Sequence, residues 1–386
     1  MTRLKVLIFF SIFLFTGCGV NDVYNITRAT ISKDPSAALQ SLATSKAINY
    51  ASNPTKLSKD IKALSSFIEK ITNNWGNDNV KIPKQKEYVK YMQNYKSRAL
   101  IDFDNGIVTV ETIDEKNPKD SLQNAIVTTL LLPDDPRAAD LFGASEIKLG
   151  STPYLLGEVK DDQNKDIRYE WRANRFAEIL IKNSFKQKKV KVESKEVKVS
   201  YVTIPMVKDH TSIRVAKVKP IVEKYSQKYG VSRNLIYAII KTESNFNQFA
   251  VSNAGAYGLM QIVPSSAGKD AYEYVKGKNS EPSTSYLFNA QNNIELGTAY
   301  LKMLNNQYLG NIQNEVSKEY CVISAYNTGS GNVLRTFSDN RTKAVNIINS
   351  KSALEVYNTL KSDLPYEETR RYLKKVIDSK KEFTNI

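Results

Sequence analysis

Histidine and cysteine are nearly absent from this chain of 386 residues, which contains one histidine and two cysteines. His210 alone could supply an imidazole, so zinc sites built on several histidines are excluded, and a Ser-His-Asp triad would have to use that residue. His210 lies in a polar run, and we interpret it as a solvated linker residue. The length excludes one small disulfide-stapled module and indicates about two or three domains.

The chain has little acidic charge for its size, with 40 Asp and Glu against 55 Lys and Arg, a net charge of +15. Such an excess favours polyanionic surroundings, which include nucleic acid, acidic lipid head groups and acidic cell-wall polymer. Apolar residues make up 41% and charged residues 25% of the chain. That composition is typical of globular proteins and excludes a disordered chain.

No long hydrophobic run opens the sequence: the apolar stretch over 6–15 is too short to span a bilayer. It follows a basic start, which predicts a signal peptide over residues 1–17. The stretch ends in Leu14-Phe15-Thr16-Gly17-Cys18, which resembles the lipobox of bacterial lipoproteins. The resemblance implies a lipid anchor on Cys18, and Gly19 after it implies an outer membrane lipoprotein of the cell envelope that faces the periplasm. The alternative is an uncleaved signal anchor with an incidental cysteine.

Cys321, the other cysteine, lies in an apolar run and would have no disulfide partner if Cys18 is acylated. We interpret it as a buried free thiol.

The first half mixes helix and strand patterns. Apolar spacings of three and four predict helix within 21–74, and a second helix is expected over 121–131, stopped by Pro133. Alternating residues around Asp104-Asn105-Gly106 predict a hairpin over 98–113. A second hairpin is expected over 190–199, in which Val190 and Val192 mirror Val197 and Val199 around residues 193–196. Its many lysines either bind acidic polymer or form the outer face of a strand pair.

After Pro205 the strand signals vanish and helical patterns continue to the end of the chain. The fold class is therefore expected to be α+β, with an N-terminal α+β domain over 18–205 and a mainly α-helical domain over 206–386.

Glu243 is the leading candidate for chemistry. Ser232 is a good N-cap for a helix over 233–243, in which Ile236, Ile239, Ile240 and Glu243 fall at i, i+3, i+4 and i+7. This spacing places the carboxylate on the buried stripe and at the negative end of the helix, and both effects raise its pKa. A raised pKa suits a general acid at neutral pH. The alternative is a structural glutamate that binds backbone of the next loop.

Three further blocks follow Glu243-Ser244 in order. The loop over 251–261 is rich in small residues, and Gly255 and Gly258 would let backbone approach a ligand closely. The ordered blocks are Glu243-Ser244, Gly258-Leu259-Met260-Gln261, Ala325-Tyr326-Asn327 and Glu368-Thr369-Arg370-Arg371-Tyr372. Together they resemble the lytic murein transglycosylases with a soluble-lysozyme-like catalytic domain. Blocks over 101–104, 132–142 and 170–177 resemble the N-terminal domain of the membrane-bound type C family of these enzymes.

The resemblance implies a role for each matching residue. Glu243 would be the catalytic acid and base. The implied substrate-binding residues are Ser252, Gly258, Met260, Gln261, Tyr326, Asn327 and Tyr372. Gln261 would contact an N-acetyl group, and Tyr372 would approach the catalytic glutamate from the last helix. Core packing is the alternative role for Tyr326 and Tyr372.

The activity implied by the resemblance is cleavage of the bond between N-acetylmuramic acid (MurNAc) and N-acetylglucosamine (GlcNAc) in peptidoglycan glycan strands, with 1,6-anhydro ends as products. One carboxylate can suffice if the substrate's own 2-acetamido oxygen attacks, so no metal or cofactor is expected. A hydrolytic lysozyme on the same fold and a murein-binding lipoprotein without turnover remain alternatives. Nucleic-acid binding is supported by charge alone and disfavoured by the lipobox. Protein partners are not indicated.

Overall fold

The computed structural model describes residues 69–133, 152–252 and 254–385. The predicted signal peptide, Cys18 and the block over 134–142 lie outside these residues, as does most of the predicted helical segment over 21–74. Residues 69–75, which overlap the end of that segment, are helical. A sheet with packed helices is followed by a long series of helices. This order confirms the expected α+β half and mainly helical half.

Five strands form one antiparallel sheet with the order β1-β2-β3-β5-β4. They are β1 (Glu87–Met92), β2 (Ser97–Asp102), β3 (Ile107–Thr112), β4 (Lys186–Val192) and β5 (Lys195–Pro205). The predicted hairpin over 98–113 is confirmed as β2 and β3. In its turn, the Asp102 carboxylate accepts hydrogen bonds from the backbone nitrogens of Asp104 and Asn105, at 3.0 and 2.9 Å. Gly106 closes the turn with a φ of 63°, which favours glycine.

The second hairpin forms in a different register from the one predicted. Val190 pairs with Val197 and Val192 pairs with Lys195, so the turn is only Glu193-Ser194. The expected turn over 193–196 is therefore wrong by a register shift of two residues. Such a shift leaves every side chain on its original face, so alternation cannot fix it. The φ of 53° at Glu193 supplies the left-handed residue that two-residue hairpin turns require.

Helices cover the sheet on one face and an N-terminal segment covers the other. α1 (Pro118–Leu130) and α2 (Glu170–Ser184) pack together and against the sheet. α1 confirms the helix expected over 121–131, but it begins earlier because Pro118 suits the first helical turn. On the opposite face, Trp75 is fully buried under the Arg98 guanidinium, which lies 3.7 Å from the ring centre.

Apart from loops and the isolated β-bridges that join Val251, Tyr257 and Ile262, the described residues of the second half form helices. Its helices are α3 (His210–Tyr229), α4 (Arg233–Ser244), α5 (Lys269–Lys276), α6 (Thr284–Leu287), α7 (Ala290–Met303), α8 (Glu315–Thr328), α9 (Ser330–Arg335), α10 (Arg341–Ser350), α11 (Ala353–Asp363) and α12 (Glu367–Glu382). α4 packs between α3 and α12, and α8 packs against α11 and α12. Within the described residues, no helix has the length and apolar character needed to cross a membrane.

His210 is not a solvated linker residue, so that interpretation is wrong. It begins α3, is partly buried, and its Nδ1 lies 2.5 Å from a guanidinium nitrogen of Arg214. Burial and the charge of Arg214 lower the pKa of its imidazole. The interpretation of Cys321 is confirmed: it is free and buried, and burial raises the pKa of its thiol to about 12.

The two halves share aromatic core contacts. The ring of Tyr154 lies 6.2 Å from Tyr88, 6.2 Å from Phe103 and 5.5 Å from Phe249, measured between centroids. Phe249 belongs to the helical half and the other three to the first half. A boundary between residues 205 and 206 therefore follows the change of secondary structure but does not separate two hydrophobic cores. The division into two domains at this point stays a prediction.

Candidate active site

Glu243 lies in the last turn of α4, on the face that this helix buries. Ile236, Ile239 and Ile240 are fully buried on the same stripe, and Glu243 is 9% exposed. The helix ends at Ser244, and Asn245 follows in the left-handed region with a φ of 46°. Ser232 precedes the helix as expected but makes no side-chain cap bond. The periodicity of the sequence thus placed the carboxyl correctly on the buried stripe.

The surroundings of Glu243 raise the pKa of its carboxyl to about 7. Burial is the main cause, because it disfavours the charged form. The hydroxyl of Tyr372 and the positive charge of Lys86 lower this pKa, whereas the negative charge of Glu368 raises it. A carboxyl with such a pKa holds a transferable proton at neutral pH and can accept one back after losing it.

Two tyrosines from neighbouring helices stand beside this carboxyl. Tyr372 on α12 is 6% exposed, and its hydroxyl faces Glu243 without reaching full hydrogen-bond geometry. Tyr326 on α8 donates its hydroxyl to the backbone oxygen of Met260 at 2.8 Å. Burial, and then the charge of Glu243, raise the pKa of both phenols well above the usual value. Both hydroxyls therefore stay protonated next to Glu243.

The loop after α4 presents Ser252 and Gln261. The Ser252 hydroxyl accepts hydrogen bonds from the backbone nitrogens of Ala254 and Ala256, at 3.2 and 3.0 Å. Gln261 donates its side-chain nitrogen to the backbone oxygens of Gly258 and Ala250, at 2.9 and 3.2 Å. Its Oε1 is buried and has no hydrogen-bond partner within the described chain. A buried amide oxygen without a partner is an acceptor whose hydrogen-bonding capacity is unused.

Comparison with known proteins assigns the family. Residues 50–217 match the family described as "Membrane-bound lytic murein transglycosylase C, N-terminal domain", and residues 220–349 match "Transglycosylase SLT domain". Membrane-bound lytic murein transglycosylase C of Yersinia pestis (strain Pestoides F) is 45% identical over 321 residues, which cover 83% of this chain and 88% of the relative. The chain belongs to the membrane-bound lytic murein transglycosylase C family. The same protein of Yersinia pseudotuberculosis serotype O:1b is equally similar.

Solved lytic transglycosylases align with part of this family member. The 70 kDa soluble lytic transglycosylase of Escherichia coli is 26% identical, with a TM-score of 0.34, over 42% of this chain and 23% of that one. A complex of the 70 kDa soluble enzyme with bulgecin A is 25% identical, with a TM-score of 0.36, over 46% and 26%. The lysozyme-like character expected of the second half agrees with the match to the SLT domain.

Gly258 and Met260 support the loop of this transglycosylase from inside. A Cβ atom at Gly258, whose φ is 78°, would lie 2.3 Å from Nδ2 of Asn293 and 2.4 Å from the backbone oxygen of Leu287. Protein atoms fill the space that a side chain would need, so packing within the chain already requires a glycine at this position. Met260 is fully buried, and its backbone nitrogen donates to Oδ1 of Asn293 at 2.7 Å. Direct contact of Gly258 or Met260 with glycan stays a prediction.

Asn327 joins two of the helices that carry the site. Its Oδ1 accepts a hydrogen bond from the Thr369 hydroxyl at 2.6 Å, which ties α8 to α12. Asn327 and Tyr326 on α8 and Tyr372 on α12 are consequently fixed relative to one another, although they come from blocks far apart in sequence. The structure thus brings Glu243, Tyr326 and Tyr372 together, and Asn327 supports the two tyrosines. Gln261 follows Met260, whose backbone oxygen accepts the hydrogen bond of Tyr326.

The N-terminal half of this family member also contacts the residues at the end of α4, the helix of Glu243. Asn245 donates its side-chain nitrogen to the backbone oxygen of Phe103 at 2.7 Å and to Oδ1 of Asp104 at 3.0 Å. Lys86 lies 3.1 Å from Oδ2 of the same aspartate. The local sequence pattern did not indicate Lys86 or Asn245. Contacts between residues this far apart in the chain produce no periodic pattern of apolar residues. Among the described residues, no group of three or more His, Cys, Asp or Glu could hold a metal ion.

Proposed function

We propose that this peptidoglycan lytic transglycosylase uses Glu243 first as proton donor and then as proton acceptor, and leaves 1,6-anhydromuramoyl ends. The observation that carries this proposal is one buried carboxyl with a pKa of about 7, beside two protonated phenols. One group that can both give and take a proton near neutral pH fits a two-step reaction of this kind. The substrate is the glycan strand of peptidoglycan.

In the first step, Glu243 protonates the oxygen that links MurNAc to GlcNAc, and the bond between this oxygen and the anomeric carbon breaks. The 2-acetamido oxygen of MurNAc attacks the same carbon and takes the place of a protein nucleophile. In the second step, the Glu243 carboxylate removes the proton of the MurNAc 6-hydroxyl. The freed oxygen attacks the anomeric carbon and restores the acetamide. Intramolecular attack provides a high effective concentration, and no water is consumed.

The proposed substrate contacts follow from the same geometry. The unpartnered Oε1 of Gln261 supports a hydrogen bond from the acetamido N–H of a sugar. Tyr326 and Tyr372 line the carboxyl, and Ser252 shapes the loop beside it. Asn327, Gly258 and Met260 hold these groups in place and complete the proposed set. No step of this scheme calls on a metal or a cofactor.

Isotope labelling separates the transglycosylase reaction from its hydrolytic rival. The purified chain is incubated with sacculi in oxygen-18 water, and the released products are weighed by mass spectrometry. We expect anhydro ends that contain no label and are lighter by one water than reducing ends. Labelled reducing ends as the primary product would favour the lysozyme alternative.

Replacing Glu243 with Gln tests the residue. The amide keeps the volume but has no transferable proton, so we expect turnover to fall roughly 100- to 10,000-fold or more. Glu367→Gln is the matched control, because Glu367 is an exposed acid on the surface of α12 that pairs with Arg371. Turnover close to that of the original chain in a folded Glu243→Gln variant would contradict the assignment. Glycan binding without cleavage by the original chain would favour the silent binder.

We also propose that Cys18 carries the lipid anchor and that the protein faces the periplasm from the outer membrane. The lipobox-like segment before Cys18 supports this location. The printed name of the Yersinia relatives contains the words "membrane-bound", which agrees with it. Membrane and peptidoglycan are then the proposed partners, whereas nucleic acid is not.

A further inference from the structure

Lys86 lies beside the catalytic helix, although it belongs to the N-terminal half of the chain. Its backbone oxygen accepts a hydrogen bond from the nitrogen of Phe103 at 3.0 Å, and its Nζ lies 3.1 Å from Oδ2 of Asp104. The other oxygen of that carboxylate, Oδ1, accepts a hydrogen bond from Asn245 at 3.0 Å. One aspartate therefore joins Lys86 to the residue that ends the helix of Glu243.

The segment that carries Lys86 is fixed to the same point by buried amides. Asn247 donates its side-chain nitrogen to the backbone oxygen of Gln85 at 3.1 Å. Asn245 donates to the backbone oxygen of Phe103 at 2.7 Å. Asn247 is fully buried and Asn245 is 6% exposed, so little water competes for these bonds. The position of Lys86 relative to α4 is consequently well defined.

The ammonium group of Lys86 has capacity for a further partner. Its side chain is 37% exposed, and an ammonium has three donors, of which Asp104 engages one. Its charge lowers the pKa of Glu243, so it acts within electrostatic range of the reacting carboxyl. Glu368 acts on the same carboxyl with the opposite sign. Lys86 and Glu368 thus act on the Glu243 carboxyl with opposite charges.

Resting on the proposed function, we propose that Lys86 binds a carboxylate of the stem peptide carried by the MurNAc at the scissile bond. In peptide-bearing peptidoglycan, the lactyl carboxyl of this sugar is already part of an amide, so the carboxylates near the cut belong to the peptide. An ammonium and a carboxylate form a charge-assisted hydrogen bond. Lys86 is then a specificity residue that favours glycan with its peptides over neutral glycan.

The test compares two forms of one substrate. Soluble peptide-bearing glycan chains are divided, and in one half the peptide carboxylates are converted to neutral methylamides. Cleavage of both by the purified full-length chain is followed by mass spectrometry of the products, and kcat/KM is compared. We expect the original chain to prefer the untreated substrate about five-fold, as for a partly exposed ion pair. Equal kcat/KM on the two substrates would overturn the proposal.

Variants assign the preference to Lys86. Lys86→Met removes the charge but keeps the stem, and we expect it to cleave both substrates with equal kcat/KM. The rate on each also reflects the higher pKa of Glu243 once the lysine charge is gone, so the ratio between the two substrates is the readout. Lys86→Arg should keep most of the preference. Lys84→Met is the matched control on the same segment, because Lys84 pairs with Glu87 at 2.9 Å and its side chain is 62% exposed. This control should keep the preference in full.

Failure of this inference is distinguishable from failure of the proposed function. If Lys86→Met still prefers the untreated substrate, or loses activity on both substrates in equal proportion, the carboxylate-binding role is wrong while anhydro products still form. If the original chain yields labelled reducing ends from either substrate, the transglycosylase mechanism is wrong whatever Lys86 does. Activity of Lys86→Met on the neutral substrate also shows that the variant is folded.

Discussion

The surroundings of Glu243 favour the protonated form of its carboxyl. Loss of that proton therefore destabilises the folded state. Burial raises the pKa of its carboxyl from 4.5 to about 7. Folding therefore favours the protonated form. The stability contributed by protonation is fully present below about pH 4.5 and is lost as pH rises through about 7. The burial that raises the pKa of Glu243 thus weakens the protein at alkaline pH.

Replacing Glu243 with Gln is expected to stabilise the chain at about pH 8 and to change its stability little at about pH 4. At the higher pH, the difference between the ordinary carboxyl pKa of 4.5 and the pKa of about 7 in the folded chain lowers the unfolding free energy by about 3 kcal/mol. The neutral amide of Gln avoids this loss. Thermal denaturation of both proteins at the two pH values measures the difference.

Glu367→Gln serves as the control for stability as well as for turnover. The side chain of Glu367 is 66% exposed in a surface pair with Arg371, and such pairs contribute about 0–1 kcal/mol. Its replacement should change the melting temperature little at either pH. If Glu243→Gln raises the melting temperature equally at both pH values, burial does not raise the pKa of Glu243.

At the scale of elements, local patterns predicted the helices better than the pairing of strands. The hairpin over 98–113 and α4 follow from turn residues and apolar spacing, and both form. The register of β4 and β5 could not be predicted, because a shift of two residues preserves the alternation of valines. β1 was not predicted at all. It buries neighbouring residues, including Lys90, so its sequence does not alternate cleanly.

Gly297 in α7 leaves room for the side chain of Met260, in the loop that follows α4. A Cβ atom there would lie 2.5 Å from the Sδ of Met260. We expect Gly297→Ala to lower the unfolding free energy by about 1–3 kcal/mol, because Met260 is fully buried and cannot move into solvent. Denaturant unfolding measures this loss. Turnover should fall as well, because Met260 also accepts the hydrogen bond of Tyr326.

Gly331→Ala is the matched control for that substitution. Gly331 lies in α9, and a Cβ atom there would meet only the Arg335 guanidinium, at 3.5 Å. Alanine favours helix over glycine by about 0.5–1 kcal/mol, so this variant should be equally stable or slightly more stable. If the two glycine variants have the same stability, close packing between α7 and the loop is not what requires Gly297.

At the scale of the whole molecule, the site depends on contacts that no single segment reveals. The sequence predicted Glu243 from periodicity and the remaining site residues from a resemblance. It did not indicate that Asn245 and Asn247 bind backbone of the N-terminal half. Their partners, Phe103 and Gln85, precede them by well over one hundred residues. Only the folded chain shows that the first half contacts the residues that directly follow the helix of Glu243.

The proposed anchor leads to a prediction about the whole protein. Cys18→Ala should leave the outer membrane fraction and still cleave murein in solution, because lipid chains contribute about 0.8 kcal/mol per buried CH2 and nothing in the site needs them. Cell fractionation and digestion of sacculi measure the two properties. Cys321→Ala is the control, because it removes the other cysteine, which is buried. A Cys18→Ala protein that stays with the membrane after a salt wash would refute the anchor.

The strand order has a consequence for how the protein is assembled. β5 lies between β3 and β4 in the sheet, yet it follows both in the chain. In a chain that emerges with its N-terminus first, β3 has a neighbour only on the β2 side until residues 195–205 arrive. An unpaired strand edge can recruit a strand from another chain. Between the emergence of β3 and that of β5, the nascent chain therefore has an exposed strand edge that can pair with another chain.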